Sequence, residues 1–353
     1  MFRPKLLFTS LAALALGACA PQDREASTSA ALAKQVILPG YSQWLAADRQ
    51  LAASALAFCE GREALAQARA DYLTAQRAWA ALQPMLVGPL AEGNRAWAVQ
   101  FWPDKKNLVG RQVEQLLASG TPVDVASLAQ GSVVIQGLSA YEYILYDSQP
   151  ELADPARKAR YCPLLIAIGE RQKALAEDIL AAWNRQGGML SQLTQFPNDR
   201  YADAHEALAD LLRAQVTALD TLKKKLGAPM GRQTKGVVQP FQAEAWRSDA
   251  SLSSLRAGLE AARAVWDGVD GQGFKGLLPK EHKAVAERID SAYAAALSLL
   301  EPDQRLSNML QSPDGLSQLK HLYDSLNNVH RLHEGELARA LGIQLGFNAN
   351  DGD

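Results

Sequence analysis

The sequence predicts an all-α fold, and three observations support this prediction. Apolar residues recur at spacings of three and four along most of the chain, as they do on one face of an amphipathic helix. Alternation of apolar and polar residues, the pattern of a half-buried strand, is nearly absent. The segments between the periodic stretches carry proline and glycine, which interrupt helices.

The chain begins with the pattern of an exported lipoprotein. Two basic residues precede a largely apolar run from Leu6 to Leu16, which has the length of a signal peptide and is too short to span a bilayer. Small residues then precede Cys19, as at sites where the signal is removed and the cysteine is lipidated. We expect a signal peptide over residues 1–18 and a membrane anchor at Cys19. The alternative is a plain secretory signal cleaved near Ala20.

The segment after the anchor carries two further indications. No aspartate follows Cys19 directly, which favours the outer membrane, facing the periplasm, over retention in the inner membrane. Residues 19–34 are small and polar, so we expect a flexible tether between lipid and folded protein. No later segment has about 18 uninterrupted apolar residues, which excludes a second membrane span.

The periodic stretches predict a series of helices. They cover roughly 41–58, 64–82, 109–119, 133–146, 158–185, 201–226, 249–267, 279–299 and 315–341. A break near 187–198, rich in glycine and proline, divides them into an N-terminal bundle over 35–186 and a C-terminal bundle over 187–353.

A faint internal repeat accompanies this division of the chain. Leu65, Ala75 and Trp79 match Leu252, Ala262 and Trp266 when the first half is shifted onto the second. This match suits an old duplication of one bundle, although any two amphipathic helices can match as well.

Charge and cysteine content narrow the possible functions. The chain has 36 basic and 38 acidic residues, and no basic patch interleaves with aromatic residues, so nucleic acid is excluded as a partner. Apart from Cys19, only Cys59 and Cys162 are present. Two cysteines in an oxidising compartment most simply form a disulfide, and the alternative is two separate buried thiols.

The least ordinary stretch is 133–146, which is apolar on nearly all sides and therefore predicts a buried helix. Glu142 lies in its middle, and a buried carboxylate is normally paired, protonated or bound to metal. Ser139 lies one helical turn before Glu142, and Gly137 permits close approach of another backbone. The alternative is a core glutamate satisfied by an arginine or by tyrosine hydroxyls.

Upstream, Trp102, Asp104, Lys106 and Asn107 lie close together in sequence, as the polar and aromatic residues of a ligand-site wall would. The alternative is a structural corner, in which Pro103 sets the turn and Asp104 caps the next helix. Together with Gly137, Ser139 and Glu142, these residues form the predicted ligand-binding set.

The last predicted helix offers a second candidate metal site. His333 and Glu336 are three residues apart, a spacing that can place two ligands on one metal ion. The alternative is a solvated polar helix. The sequence contains no nucleophile elbow, phosphate-binding loop or His-Glu-x-x-His motif.

Taken together, several short segments resemble the imelysin family over nearly the whole chain after the signal. The residues that carry this resemblance are Phe58-Cys59, Trp79 to Pro84 with Gly88-Pro89, Phe101 to Asn107, Gln136-Gly137-Leu138 with Ala140 to Tyr143, Arg160-Tyr161-Cys162, Trp246-Arg247-Ser248, and Leu345 to Asn348 with Asp351-Gly352-Asp353. The resemblance implies two helical bundles, an envelope location and a link to iron uptake, and some members of the family are described as metallopeptidases.

The family signature Gly-x-His-x-x-Glu is altered in this chain. Gly137 and Glu142 are kept, but Ser139 stands where the family has histidine, and a serine hydroxyl is a far poorer ligand for zinc or iron. We therefore predict that any divalent metal, iron or zinc, binds weakly at Glu142.

The function predicted from the sequence is that of a non-enzymatic lipoprotein of iron acquisition, which binds a ligand or partner around Glu142. Its expected partners are the membrane, through the lipid anchor, and iron-uptake components of the envelope. The alternatives are an imelysin-type metallopeptidase and a non-catalytic interaction scaffold.

Overall fold

The computed structural model describes residues 23–147 and 152–346, and every regular element in these ranges is a helix, which confirms the all-α prediction. The α-helices of the first half are α1 (Arg24–Ala31), α2 (Leu38–Cys59), α3 (Leu65–Leu82), α4 (Arg95–Val99), α5 (Leu108–Ala118), α6 (Val125–Gln130), α7 (Leu138–Tyr146) and α8 (Pro155–Asn184). Those of the second half are α9 (Met189–Gln192), α10 (Ala204–Gly227), α11 (Ser251–Asp267), α12 (Phe274–Leu277), α13 (Lys283–Ser298), α14 (Leu306–Met309), α15 (Pro313–Arg331) and α16 (Ala338–Ala340).

Shorter helical segments complete the chain. The π-helical segments Leu32–Ile37 and Leu332–Leu337 join α1 to α2 and α15 to α16. Turns of 3₁₀ helix occur at Gln83–Met85, Gly88–Leu90, Val133–Ile135, Pro240–Gln242 and Lys280–His282. The one predicted helix that is interrupted is 133–146, where a 3₁₀ turn and Gly137 precede the α-helix.

The prediction of a flexible tether over residues 19–34 is wrong from Arg24 onward. The Asp23 side chain accepts hydrogen bonds from two backbone N–H groups and so caps α1. Leu32 is fully buried, and the Ser29 hydroxyl donates to the Leu193 carbonyl. Alanine, serine and glutamine are compatible with a packed helix as well as with a linker, so composition misled the prediction. Cys19 and the signal peptide lie outside the described residues.

Each half of the chain packs around its own long helices. In the first half α2 packs against α3 and α8, and α7 packs against both α3 and α8. In the second half α10 packs against α11 and α15, and α13 packs against α15. No helix of the described ranges is long and apolar enough to cross a membrane.

Contacts between α3 and α11 join the two halves. At this contact Gln76 donates a buried hydrogen bond to the Ser254 hydroxyl, at 3.3 Å. These are the two helices that the faint repeat equates, and its two tryptophans, Trp79 and Trp266, are both buried. Helix α1 belongs to the first half in sequence but packs against α10 and α12 of the second.

The predicted disulfide is confirmed. Cys59, at the end of α2, is bonded to Cys162, in the first part of α8, and their Cα atoms lie 5.6 Å apart. The bond closes a sequence separation of 103 residues. It therefore ties together the two helices that form the largest packing contact of the first half.

Asp48, on α2, is an unusual core residue. It is fully buried, and neither carboxylate oxygen has a hydrogen-bond partner within the described part of the chain. Burial raises the pKa of Asp48 well above its ordinary value, because an ion without a partner is unstable in a dry interior.

This burial makes the stability of the protein depend on pH. Since the folded-state pKa lies above the unfolded one, the contribution of Asp48 is fully present below about pH 4. It is lost as the pH rises through the raised pKa. We expect Asp48→Asn, which keeps the shape and removes the charge, to be more stable than the wild type at pH 7, where the unfolded wild-type chain gains from ionising Asp48 and the folded one does not.

Urea denaturation of both proteins between pH 4 and pH 8 tests this expectation. The variant should lose less stability over this range than the wild type does. The exposed Asp303→Asn is the matched control and should follow the wild type. Parallel curves for Asp48→Asn and the wild type would contradict the prediction.

Candidate functional site

The residue just before the motif helix α7, Gly137, can only be glycine. A Cβ atom at Gly137 would lie 2.2 Å from the Val99 carbonyl oxygen and 2.5 Å from that of Ala98. Both atoms are backbone and cannot rotate away. The close backbone approach at Gly137 is therefore confirmed, and it sets the start of α7 against the segment that leads to Phe101.

Glu142, in the middle of α7, is buried, with 3% of its surface exposed. Its Oε1 atom accepts hydrogen bonds from the Ser248 N–H at 2.8 Å and the Ser248 hydroxyl at 2.7 Å. Burial raises the pKa of Glu142, while the hydrogen bonds from Ser248 and the charge of Arg247 act in the opposite direction. A loop of the second half thus satisfies the motif carboxylate of the first.

Arg247 holds the same loop onto the motif region. Its guanidinium donates to Asp147 at 3.0 Å and to the Asn107 side-chain oxygen at 2.8 Å, and 4% of its side chain is exposed. The guanidinium also lies over the rings of Trp246 and Tyr143, 4.5 and 5.2 Å from their centroids. Arg247 therefore links the end of α7 to the Phe101–Asn107 segment.

Four of the predicted ligand-binding residues, Ser139, Asp104, Lys106 and Asn107, do not hydrogen-bond directly to Glu142. Ser139 does not contact Glu142 through its hydroxyl, which donates to the Phe101 carbonyl at 2.9 Å. Asp104 caps α5 by accepting from the Leu108 and Val109 N–H groups, as its alternative interpretation stated. Lys106 is exposed. Asn107 is linked to the motif region through Arg247, which donates to its side-chain oxygen.

A cleft of about 360 Å³ lies next to this network, between α10 and the chain from Trp79 to Trp102. We call it the tryptophan cleft. Its walls are Trp79, Gln83, Leu86, Ala96, Trp97, Gln100 and Trp102 on one side, and Asp210, Arg213, Ala214, Thr217, Ala218, Thr221 and Lys225 on the other. Trp102 is the one member of the predicted ligand-binding set in this lining, so the prediction of a cavity walled by Glu142 does not hold for this cleft.

A buried ion pair lies at one end of the tryptophan cleft. The Lys225 ammonium donates to Glu244 at 2.5 Å and to the Gln83 side-chain oxygen at 2.8 Å. Lys225 and Glu244 are 5% and 2% exposed. Burial lowers the pKa of Lys225, and the charge of Glu244 opposes this shift. Because Glu244 and Ser248 lie on one loop, the 240–250 loop contacts both the cleft and Glu142.

Comparison with known proteins identifies the family of this chain. A family model described as Imelysin matches residues 37–333, which is most of the sequence. The chain belongs to the imelysin family. No curated protein matches the chain.

Two solved structures share the imelysin fold with this chain. One is an imelysin-like protein from Psychrobacter arcticum, with a TM-score of 0.77 and 21% identity, over 92% of this chain and 97% of that one. The other is a protein from Parabacteroides distasonis named as an iron-regulated protein A precursor, with a TM-score of 0.69 and 16% identity, over 90% and 97%.

The imelysin motif of this chain does not fit a divalent metal. The Ser139 hydroxyl is committed to a backbone carbonyl, and Glu142 already accepts two hydrogen bonds through one oxygen. The cationic Arg247 lies nearby and would oppose a second positive charge at Glu142. Among the residues that the structure describes, no imidazole or thiolate stands beside Glu142 in place of the missing histidine, so these residues do not supply the ligands that zinc or iron prefers.

The predicted metal pair on the last helix is wrong. His333 is fully buried, and its ring nitrogens lie 3.1 Å from the Tyr293 hydroxyl and 2.9 Å from the Val329 carbonyl. Burial lowers the pKa of His333 to about 4, so the ring is neutral in the core. Glu336 instead forms an ion pair with Arg288. Within the described ranges no group of three or more His, Cys, Asp or Glu residues could hold a metal ion.

The sequence interpretation missed the second-half residues of the site. Ser248 and Arg247 belong to the Trp246-Arg247-Ser248 segment that carries the imelysin resemblance, and this was the available signal. Lys225 and Glu244 lie outside the segments that carry the resemblance. Lys225 is also the last of three consecutive lysines on a helix, so its sequence position does not mark it as buried. Only packing shows which of the three is buried.

Proposed function

We propose that this imelysin-family chain is an envelope lipoprotein of iron acquisition that binds a ligand or partner at the junction of its two halves and does not hydrolyse peptides. The contacts of the motif carry this proposal. Glu142 is held by Ser248, Ser139 is held by the Phe101 carbonyl, and the tryptophan cleft lies beside them. A peptidase would need a carboxylate or metal that is free to activate water.

A protease assay of the purified protein, with and without a metal chelator, tests the absence of hydrolysis. We expect no chelator-sensitive cleavage of casein or of a peptide library. Cleavage that is abolished both by chelator and by Glu142→Gln would overturn the proposal in favour of a metallopeptidase.

The link to iron acquisition is supported by the relative named as an iron-regulated protein and by the family resemblance. We expect the amount of transcript and protein to rise when cells are starved of iron. A level that does not change under starvation would contradict this part of the proposal.

The proposed location is the periplasmic face of the outer membrane, through a lipid on Cys19. It is supported by the sequence pattern before Cys19. Membrane fractionation of cells expressing the wild type or Cys19→Ser tests it. Recovery of both proteins from the soluble fraction would contradict an anchor, and recovery of the wild type from the inner membrane would contradict the outer one.

Ser139→His is expected to restore part of the family's metal affinity. It would place an imidazole one turn before Glu142, and the gain should be partial, because a metal ion there must displace the hydrogen bonds from Ser248 and act against the charge of Arg247. Calorimetry with Zn²⁺ should show weak or no binding by the wild type, and at least about tenfold tighter binding by the variant. The control is Ser42→His, on an exposed face of α2 without a carboxylate one turn away. Equal affinities of wild type and Ser139→His would mean that positions 139 and 142 do not face one site.

A further inference from the structure

We propose that the tryptophan cleft binds an uncharged planar aromatic ligand whose oxygen accepts a hydrogen bond from Lys225, and that Glu244 selects against anionic ligands. This inference rests on the proposed function, since it names a ligand class for the junction that is proposed there to bind one. It adds a specific chemistry to that site and a selectivity role to Glu244.

Three tryptophans, Trp79, Trp97 and Trp102, line one wall of the cleft. The indole N–H of Trp79 already donates to Gln100 at 2.9 Å, and that of Trp102 donates to the Gln242 carbonyl at 3.0 Å. The polar edges of both rings are therefore occupied. Trp97 is 43% exposed, a large value for a tryptophan in a folded protein. What these side chains offer to a ligand is stacking surface.

The opposite wall, on α10, carries small side chains between Arg213 and Lys225. Ala214, Thr217, Ala218 and Thr221 follow each other at spacings of three and one along α10, so small side chains form a continuous stripe there. The Thr221 hydroxyl donates within the helix, to the Thr217 carbonyl. The cleft of about 360 Å³ has indole rings on one wall and small residues on the other, a lining that suits an aromatic molecule, and its volume is within the range of small-ligand pockets.

Lys225 supplies one directional contact. An ammonium group has three N–H donors, and the described residues that accept from Lys225 are Gln83 and Glu244. No described residue accepts a hydrogen bond from the third N–H, and the ammonium also lies 5.5 Å from the centroid of the Trp102 ring, so a ligand oxygen would meet Lys225 beside this ring in the lining of the cleft. A carbonyl or ether oxygen on an aromatic ring would meet this donor and leave the apolar remainder against the tryptophans.

The charged side chains around the cleft are paired with opposite charges. No net positive charge is therefore left to attract an anionic ligand. Lys225 is neutralised by Glu244, and at the other end Arg213 donates to Asp210 at 3.0 Å, while Arg200, 3.6 Å from Asp210, is also paired with Glu92. A carboxylate ligand beside Lys225 would lose its hydration and would also face the buried Glu244. An uncharged acceptor avoids both costs.

Three naphthalene probes of similar size test the ligand class on the purified full-length protein. They are 2-acetonaphthone, which has an uncharged acceptor, 2-naphthoate, which is an anion, and 2-ethylnaphthalene, which has no acceptor. Binding measured by saturation-transfer NMR should be tightest for 2-acetonaphthone, on the order of 0.1–1 mM for a molecule of this size. The other two should bind roughly tenfold more weakly.

Variants locate the binding and test the role of Glu244. Trp97→Ala should weaken 2-acetonaphthone roughly tenfold through lost stacking. Phe241→Ala, also 43% exposed but outside the lining, should leave binding unchanged. Glu244→Gln leaves the charge of Lys225 uncompensated, so 2-naphthoate should gain at least about tenfold and overtake the ketone.

Each contrary result overturns a stated part of the inference. Binding of 2-naphthoate by the wild type as tightly as the ketone would overturn the exclusion of anions, and equal binding of 2-ethylnaphthalene would overturn the contact with Lys225. If none of the three probes binds, the proposal of an aromatic ligand is overturned. If Glu244→Gln fails to fold, the affinities of the three probes for the wild type and for Trp97→Ala still test the ligand class and its location in the cleft. Iron induction and the protease assay are unaffected by these outcomes, so the proposed function can fail or stand separately.

Discussion

Replacement of Cys59 and Cys162 by serine is expected to lower the free energy of unfolding by about 4–5 kcal/mol. The disulfide closes a separation of 103 residues, and a cross-link over so long a loop removes much conformational entropy from the unfolded chain. The folded state should survive, because α2 and α8 also pack closely, with a Cβ at Gly169 only 3.0 Å from the Ala52 Cα.

Urea denaturation of the double variant measures this loss. Wild-type protein treated with reductant is the matched control, and it should unfold at the same urea concentration as the double variant. Free-thiol titration of denatured, unreduced wild type should find neither Cys59 nor Cys162 reactive. A loss below about 1 kcal/mol would mean that the unfolded chain is constrained by other means.

The second large effect is expected at the buried ion pair. Lys225→Met should lower the free energy of unfolding by about 3–5 kcal/mol, because it leaves the Glu244 carboxylate buried without its cation. Glu244 is 2% exposed, so water cannot replace the ammonium without local opening. The double variant Lys225→Met/Glu244→Gln should recover most of the loss, since neither side chain then carries a charge.

A double-mutant cycle by urea denaturation tests this coupling. The control pair is Lys283 and Glu287, whose side chains are 81% and 65% exposed. Lys283→Met should cost less than about 1 kcal/mol, because solvent screens a surface ion pair. If Lys225→Met cost no more than Lys283→Met, the pair would not be buried in solution.

The helices were predictable from the spacing of apolar residues, and the family was predictable from short sequence motifs. Both signals lie in neighbouring residues of the sequence. The stripe in 201–226 predicted α10, which runs from Ala204 to Gly227, since a helix that buries one face must repeat its apolar residues every three or four positions. The disulfide was predicted from the two cysteines left after Cys19 in a chain whose first residues predict export. Asp104 caps the helix that follows it, a local contact, whereas Gly137 was predicted from its residue type and its partner backbone at Val99 was not.

The errors share a different cause. Residues 24–34 were predicted to be a linker by their composition, but their burial comes from contacts with α10 and α12, far away in sequence. His333 and Glu336 have the spacing of a metal pair, yet one side chain turns into the core and the other pairs with Arg288. Spacing along a helix places residues on a face, and it does not say which neighbour that face meets.

The sequence by itself determined the all-α class and the positions of the long helices, because both follow from apolar periodicity. It also determined the disulfide, through residue type, and the imelysin resemblance, through the order of short motifs. Only the tertiary structure decided the site. It placed Ser248 on Glu142, buried Lys225 against Glu244, and opened the tryptophan cleft between two halves of the chain. Glu142 and Ser248, like Lys225 and Gln83, are more than a hundred positions apart in the sequence. The burial of Lys225 also distinguishes it from the two lysines before it. Both results depend on packing that no local pattern specifies.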